Sequence, residues 1–190
     1  MQFCLNILEI VDKIELMIII KMEEFMIRRA NINDLKTMVE INVKAWTINY
    51  KGIIEDDFIK SRTTDVVFKR WKESNWIEDK NINTFVFIED NLLKGYISEL
   101  NKRKENDKYD CEIGALYVAP EFQKQGIGKK LLNYMKNHFK EAGYVNMIIW
   151  TTKGLPNNGF YKKMGGVVKE EKELEFGGKK YPGVGFVFEL

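Results

Sequence analysis

The sequence Q-K-Q-G-I-G-K at residues 123–129 decides the fold, together with the strand-like run Glu112–Val118 before it and the helical pattern after it. Glycine lets the backbone of a turn approach a ligand without an intervening Cβ atom. The first N–H groups of the helix that follows have no partner within the helix, and they attract an anion. Lys124, Lys129 and Lys130 add positive charge beside this turn. We therefore expect a phosphate-bearing cofactor at residues 123–129.

The spacing of the glycines distinguishes this loop from two common phosphate-binding motifs. Neither G-x-x-x-x-G-K-[ST] nor G-x-G-x-x-G occurs in the chain. Instead Q-x-x-G-x-G follows L-Y-V-A-P at residues 116–120, and this combination resembles the acetyl-CoA pyrophosphate loop of the GCN5-related N-acetyltransferase (GNAT) superfamily. Residues 157–166 resemble the F-Y-x-x-x-G segment of the same family, with Phe160, Tyr161 and Gly165 in the matching places. A nucleotide-binding protein with an unrelated glycine loop is the alternative interpretation.

The pattern of the whole chain predicts an α/β fold. Its order is strand, two helices, three strands, helix, strand, helix and two strands, with a polar hairpin tip at residues 101–107. The strands are predicted at residues 25–29, 84–88, 92–100, 109–118, 145–150, 167–176 and 184–188, and the helices at 31–46, 55–76, 127–142 and 157–164. The resemblance implies the GNAT fold, in which helices flank a mixed, mostly antiparallel sheet of about seven strands. The apolar C-terminal strands either complete this sheet or form the edge of a homodimer.

The resemblance covers residues 26–190, which we assign to one N-acetyltransferase domain. Residues 1–25 do not resemble the family, and their apolar run Leu16–Ile20 is too short to span a membrane. We expect residues 1–25 to be an N-terminal extension, either an additional helix or the product of a wrongly assigned start codon. Met22 and Met26 are the alternative starts.

The composition excludes several classes of protein. A net charge of +2 gives no reason to expect a nucleic-acid surface. Cys4 and Cys111 form neither a disulfide framework nor a metal-binding spacing, and His138 is the one histidine. We expect a cytoplasmic, reduced protein that binds no metal, no membrane and no nucleic acid, with Cys111 serving as a small buried hydrophobic residue.

The family resemblance implies where acetyl-CoA binds. The pyrophosphate would lie on the backbone N–H groups of residues 125–129, and the pantetheine arm would follow the strand at residues 116–118 where it separates from its neighbour. Many members carry an asparagine where this chain has Leu155, and Asn157 or Asn158 is the candidate to replace it. The implied cofactor-binding residues are Leu116, Tyr117, Val118, Gln123, Lys124, Gln125, Gly126, Ile127, Gly128, Lys129 and Asn157.

Two residues are candidates for the chemistry of acetyl transfer. Tyr161 lies in the F-Y-x-x-x-G segment, and its phenol carries a proton at neutral pH because the ordinary pKa is about 10. We expect Tyr161 to act as the general acid for the departing thiolate and Glu112 to act as the base for the amine. Simple alternation places Glu112 on the same face as Leu116 and Val118, and a β-bulge would change that arrangement.

The acceptor is expected at a second segment. Trp46 and Tyr50 fall one helical turn apart and share a face, and residues 46–53 resemble a W-x-x-x-Y-x-G-I stretch found in a bacterial branch of the family. The acidic run at residues 55–57 is a further candidate for attracting a cationic amine. We expect direct acetyl transfer in a ternary complex to a primary amine of a small molecule, such as a polyamine or an amino sugar. The alternatives are a protein N-terminus or lysine as acceptor, and a non-catalytic acyl-CoA-binding sensor with the same fold.

Overall fold

The computed structural model describes residues 25–79, 82–100 and 108–190. The predictions for residues 1–24 and for the polar hairpin tip lie outside the described residues. The strands are β1 (Met26–Arg29), β2 (Thr84–Glu89), β3 (Leu92–Glu99), β4 (Cys111–Val118), β5 (Asn146–Thr152), β6 (Val167–Phe176) and β7 (Lys179–Glu189). The helices are α1 (Leu35–Asn49), α2 (Asp56–Ser61), α3 (Thr64–Ser74), α4 (Ile127–Glu141) and α5 (Asn157–Lys163). Within these ranges, no helix has the length and apolar character needed to cross a membrane.

One seven-stranded sheet organises the domain, in the order β1-β2-β3-β4-β5-β7-β6. All neighbouring strands are antiparallel except β4 and β5, which are parallel. One face packs on α4, whose Leu131, Leu132, Met135 and Phe139 are buried, and the other face packs on α1 and α3. The predicted mixed, mostly antiparallel sheet flanked by helices is confirmed.

Most element boundaries shift by a few residues, and two differences from the sequence-based prediction have a clear physical cause. The helical stretch predicted at residues 55–76 is two helices, because the chain leaves helical geometry at Arg62 and Thr63. The Thr63 hydroxyl accepts a hydrogen bond from the Val66 N–H at 3.3 Å and so begins a new helix. The last strand begins at Lys179 instead of Val184, since Pro182 lies beyond the end of β5 and pairs with Glu173 of β6.

The parallel strands β4 and β5 separate soon after they pair. Their pairing is limited to three positions and ends at Ile113, which lies opposite Ile149. Strand β4 continues to Val118 and β5 to Thr152, so a gap opens between their carboxyl ends. This is the separation that the family resemblance implied.

A β-bulge interrupts β4 at Gly114. Glu99 of β3 lies opposite Ile113 and Ser98 lies opposite Ala115, which leaves Gly114 as the extra residue. A Cβ atom at Gly114 would lie 2.9 Å from the Leu100 Cβ, so glycine suits this position.

The bulge corrects the predicted facing of β4. Ile113 and Leu116 both pack on the α4 side of the sheet, whereas Ala115 and Tyr117 pack on the α1 side. Because side chains alternate on the regular part of a strand, Glu112 belongs to the α1 side. The prediction that Glu112 shares a face with Leu116 and Val118 is therefore wrong.

Candidate active site

A cavity of about 720 Å³ occupies the gap between β4 and β5 and is lined by residues from both faces of the sheet. Its walls come from α1, both strands, the glycine loop and the start of α4, α5, and the end of β6. The cavity lining includes Glu112, Tyr161, Trp46, Tyr50, Leu116, Tyr117, Val118, Gln123, Lys124, Gly126, Ile127, Gly128, Lys129 and Asn157. Thus every predicted site residue except Gln125 lies on this single cavity.

The glycine loop is held by its own side chains. Gln123 Nε2 donates a hydrogen bond to the Val118 carbonyl at 3.2 Å, and Gln125 Nε2 donates to the Glu121 carbonyl at 3.4 Å. Gly126 precedes α4 with a φ of +84°, and no side chain in the described part of the chain caps the helix there. The first N–H groups of α4 therefore remain available at the cavity, as an anion site requires.

The lysines around the loop do not all face the cavity. Lys124 and Lys129 line it. Lys130 turns away, with its Nζ 4.0 Å from the centre of the Phe25 ring. Two of the three expected lysines thus contribute charge to the candidate phosphate site.

The first residue of α5 is an asparagine that faces the cavity, although Leu155 before it is buried. Asn157 lines the cavity, and its Oδ1 accepts hydrogen bonds from the Thr151 hydroxyl and from Asn158 Nδ2, each at 3.1 Å. Asn158 also donates to the Thr152 carbonyl at 3.2 Å, which braces the turn. Of the two candidates to replace the family asparagine, Asn157 is the one that faces the cavity.

Tyr161 approaches the gap from the α5 side. It is 4% exposed, and its ring contacts Phe160 and Phe186. Burial raises the pKa of the Tyr161 phenol above its ordinary value; the nearby Tyr117 adds to this rise, and a hydrogen bond with Asn157 opposes it. The phenol is therefore a proton donor that stays protonated throughout the neutral range.

Glu112 approaches the gap from the opposite side. Its carbonyl accepts a hydrogen bond from the Leu100 N–H at 2.9 Å, and its side chain is partly exposed at the cavity. Since Glu112 lies on the α1 side and Tyr161 comes from the α5 side, a carboxylate and a phenol flank the gap between β4 and β5.

Aromatic rings form the wall on the α1 side. Trp46 and Tyr50 are stacked, with ring centres 4.0 Å apart and an interplanar angle of 2°, so their predicted common face is confirmed. Trp46 Nε1 donates a hydrogen bond to the Tyr117 hydroxyl at 3.0 Å. Phe176 packs edge-on against Trp46 at 5.3 Å and closes this end of the cavity.

Arg62 stands behind this wall, and sequence reasoning missed it. Its guanidinium carbon lies 4.0 Å from the centre of the Trp46 ring. Nothing in the local sequence distinguishes Arg62 from the other basic residues, because its position depends on the break between α2 and α3.

Several other candidates lie away from the cavity. Residues 55–57 do not line it, and the Glu55 carboxylate forms an ion pair with Lys179. The Cys111 thiol is buried, and burial raises its pKa, which makes it unreactive. His138 contacts the Phe85 ring on the far side of α4. In the described ranges, no group of three or more His, Cys, Asp or Glu residues is placed to hold a metal ion.

Comparisons with known proteins agree with this geometry. The acetyltransferase (GNAT) family matches residues 37–166. The chain is 26% identical to the uncharacterized N-acetyltransferase YuaI of Bacillus subtilis, over 84% of this chain and 90% of the relative. It is also 26% identical to the spermidine N(1)-acetyltransferase of Thermoplasma acidophilum, over 79% of this chain and 92% of the relative.

A solved structure shows the same fold. The PaiA N-acetyltransferase of Thermoplasma acidophilum, in complex with coenzyme A, superposes with a TM-score of 0.65 at 21% identity. The superposition covers 88% of this chain and 99% of that one. The chain therefore belongs to the acetyltransferase (GNAT) family, and it is an N-acetyltransferase with acetyl-CoA as its acetyl donor.

Proposed function

We propose that this enzyme transfers the acetyl group directly to the primary amine of a small molecule, within a ternary complex. The observation that carries the proposal is the gap between β4 and β5, whose cavity is lined by residues from both faces of the sheet. Acetyl-CoA would enter from the α4 side and the amine from the α1 side. The two substrates would then meet without a covalent enzyme intermediate.

The residues of the α4 side fit a bound coenzyme A. The backbone N–H groups of residues 125–129 would bind the pyrophosphate, and Lys124 and Lys129 would compensate its charge. Residues 116–118 are not paired with β5, so their backbone groups on that side would hydrogen-bond the pantetheine amides. Asn157 would add a side-chain contact. Bound in this way, acetyl-CoA supplies the activated acetyl group.

Acetyl transfer requires two proton transfers, and Glu112 and Tyr161 would each carry out one of them. Glu112 accepts a proton from the ammonium form of the substrate, because only the neutral amine attacks a thioester. Tyr161 presents its phenolic proton to the sulfur atom as negative charge develops there. The raised pKa of Tyr161 means that the phenol carries its proton at neutral pH and has one to give.

The acceptor end of the cavity suits a small molecule. Leu174 and Phe176 of β6 line this end of the cavity. The β6–β7 turn packs closely on α2, since a Cβ atom added at Gly177 would lie only 2.7 Å from the Phe58 ring. In this position the turn would restrict the access of an extended polypeptide. The spermidine N(1)-acetyltransferase among the relatives supports an amine of low molecular weight.

The proposal is tested with Tyr161→Phe, assayed by thiol release from acetyl-CoA over a panel of small amines and a lysine-containing peptide. We expect turnover to fall about a hundredfold or more, with coenzyme A affinity within about twofold by calorimetry. Tyr134→Phe is the matched control, because Tyr134 is half-exposed on α4 and does not line the cavity. Turnover of the peptide alone, or parallel double-reciprocal plots for the two substrates, would contradict the proposal.

A further inference from the structure

The acceptor end of the cavity presents a hydroxyl donor. The Tyr117 oxygen accepts the Trp46 Nε1 hydrogen bond at 3.0 Å. Burial, followed by interactions with Tyr117 that include a hydrogen bond, raises the pKa of Tyr50, which is the direction expected for a phenol that donates its proton in that bond. A phenol oxygen that accepts from two donors still carries its own O–H. Tyr117 lines the cavity, so this O–H is available to a substrate.

Arg62 places a buried positive charge behind the same residues. It is 9% exposed, and its Nη2 donates to the Asn42 Oδ1 at 2.7 Å. Its Nε has no hydrogen-bond partner among the described residues. Burial is the main cause that lowers the pKa of Arg62, whereas the phenols of Tyr117 and Tyr50 raise it. A buried cation with an unpartnered donor is stabilised by an anion nearby.

The carboxylates of the cavity are too few for a polycation. Within the described part of the chain, Glu112 is the single acidic residue that lines the cavity. The proposed function assigns Glu112 to the reacting amine, which leaves no carboxylate to pair with a second ammonium group. A polyamine carries further ammonium groups, which the buried charge of Arg62 behind the aromatic wall would disfavour.

We propose that the acceptor amine also carries a carboxylate, which accepts a hydrogen bond from the Tyr117 hydroxyl within the positive field of Arg62. The substrate class is therefore an amino acid or a similar amino carboxylate. This inference rests on the proposed function, since it concerns the acceptor of that same reaction. It differs from the acceptor named for the Thermoplasma relative, whose 26% identity leaves room for a different acceptor.

The test compares acceptors that differ in one group. The probes are glycine, β-alanine and γ-aminobutyrate, each assayed beside its carboxamide and the diamine of equal length. At the best chain length, we expect kcat/KM for the acid to exceed that for the amide and the diamine about tenfold or more, the size of one charge-assisted hydrogen bond. A diamine or amide that equals or exceeds its acid would overturn this inference and leave the proposed function standing. Absence of turnover with every amine would overturn both.

Two variants locate the carboxylate. Tyr117→Phe and Arg62→Met are each expected to lower the ratio of kcat/KM for acid to amide about tenfold. Loss of folded protein cancels in this ratio, because both probes are measured with the same preparation. Arg70→Met is the matched control, since Arg70 is an exposed arginine near Arg62 that does not line the cavity. An acid-to-amide ratio unchanged in both variants would overturn the assignment.

Discussion

Replacing Gly126 by alanine separates ligand binding from backbone strain, because the chain contains a matched second position. Gly126 has a φ of +84° before α4, and Gly143 has a φ of +83° after it. A Cβ atom added at either glycine meets no atom of the described residues within 4 Å. Each alanine therefore costs only the left-handed backbone strain of about 1–2 kcal/mol. We expect both variants to lower the Tm by about 2–8 °C.

Binding is expected to distinguish the two variants. The Cβ atom of Gly126→Ala would occupy the space through which a pyrophosphate approaches the first N–H groups of α4. Loss of one hydrogen bond to a charged group is worth about 1.5–3 kcal/mol, or a rise of about 10- to 150-fold in the Kd for acetyl-CoA. Isothermal titration calorimetry measures this Kd, with Gly143→Ala expected to match the wild type. A Kd unchanged in Gly126→Ala, or raised equally in both variants, would refute the assignment of the loop.

Three further outcomes are expected. The kcat/KM should rise with pH and show no falling limb up to about pH 10. The reason is that burial holds the pKa of Tyr161 above that of an ordinary phenol, so Tyr161 retains its proton. A stopped-flow pH profile that falls near pH 8 would contradict this expectation. Glu112→Gln should lower kcat about a hundredfold at neutral pH and recover part of the loss at alkaline pH, where the amine is already neutral; a loss independent of pH would argue against a base. The Asp34 carboxylate accepts hydrogen bonds from the Asn31 N–H at 2.8 Å and from both Arg28 amino groups at 2.7 and 2.8 Å. Asp34→Ala should therefore destabilise the fold by about 2 kcal/mol and lower the Tm by about 4–8 °C in a thermal melt. An unchanged Tm would show that this cap contributes little to stability.

The parts of the fold and site that the sequence predicted are those encoded over short distances. The glycine loop, the apolar face of α4 and the shared face of Trp46 and Tyr50 follow from spacing within a single element. Asn157 was named as a replacement for the family asparagine because it lies within two residues of that position, and it does face the cavity.

The parts that sequence reasoning missed depend on contacts between distant segments. Arg62 reaches Trp46 because it lies in the short break between α2 and α3. The sequence pattern predicts one continuous helix there, so it gives no sign of this break. The side of the sheet on which Glu112 lies depends on the bulge in the pairing of β4 with β3, and the sequence of β4 alone does not predict that bulge.

The extra residue at Gly114 shifts the alternation of side chains along β4 by one position. It inverts the in-and-out order of every side chain that follows, so Glu112 and Tyr117 come to project on the same side despite their odd spacing. Deleting this one residue would place Ala115 directly after Ile113 and leave Leu116 and Tyr117 on their present sides. Regular pairing of Gly114 would instead turn Tyr117 toward α4 and Leu116 toward α1. The facing of Tyr117 should consequently survive the loss of Gly114 and change only if Gly114 is forced into regular pairing.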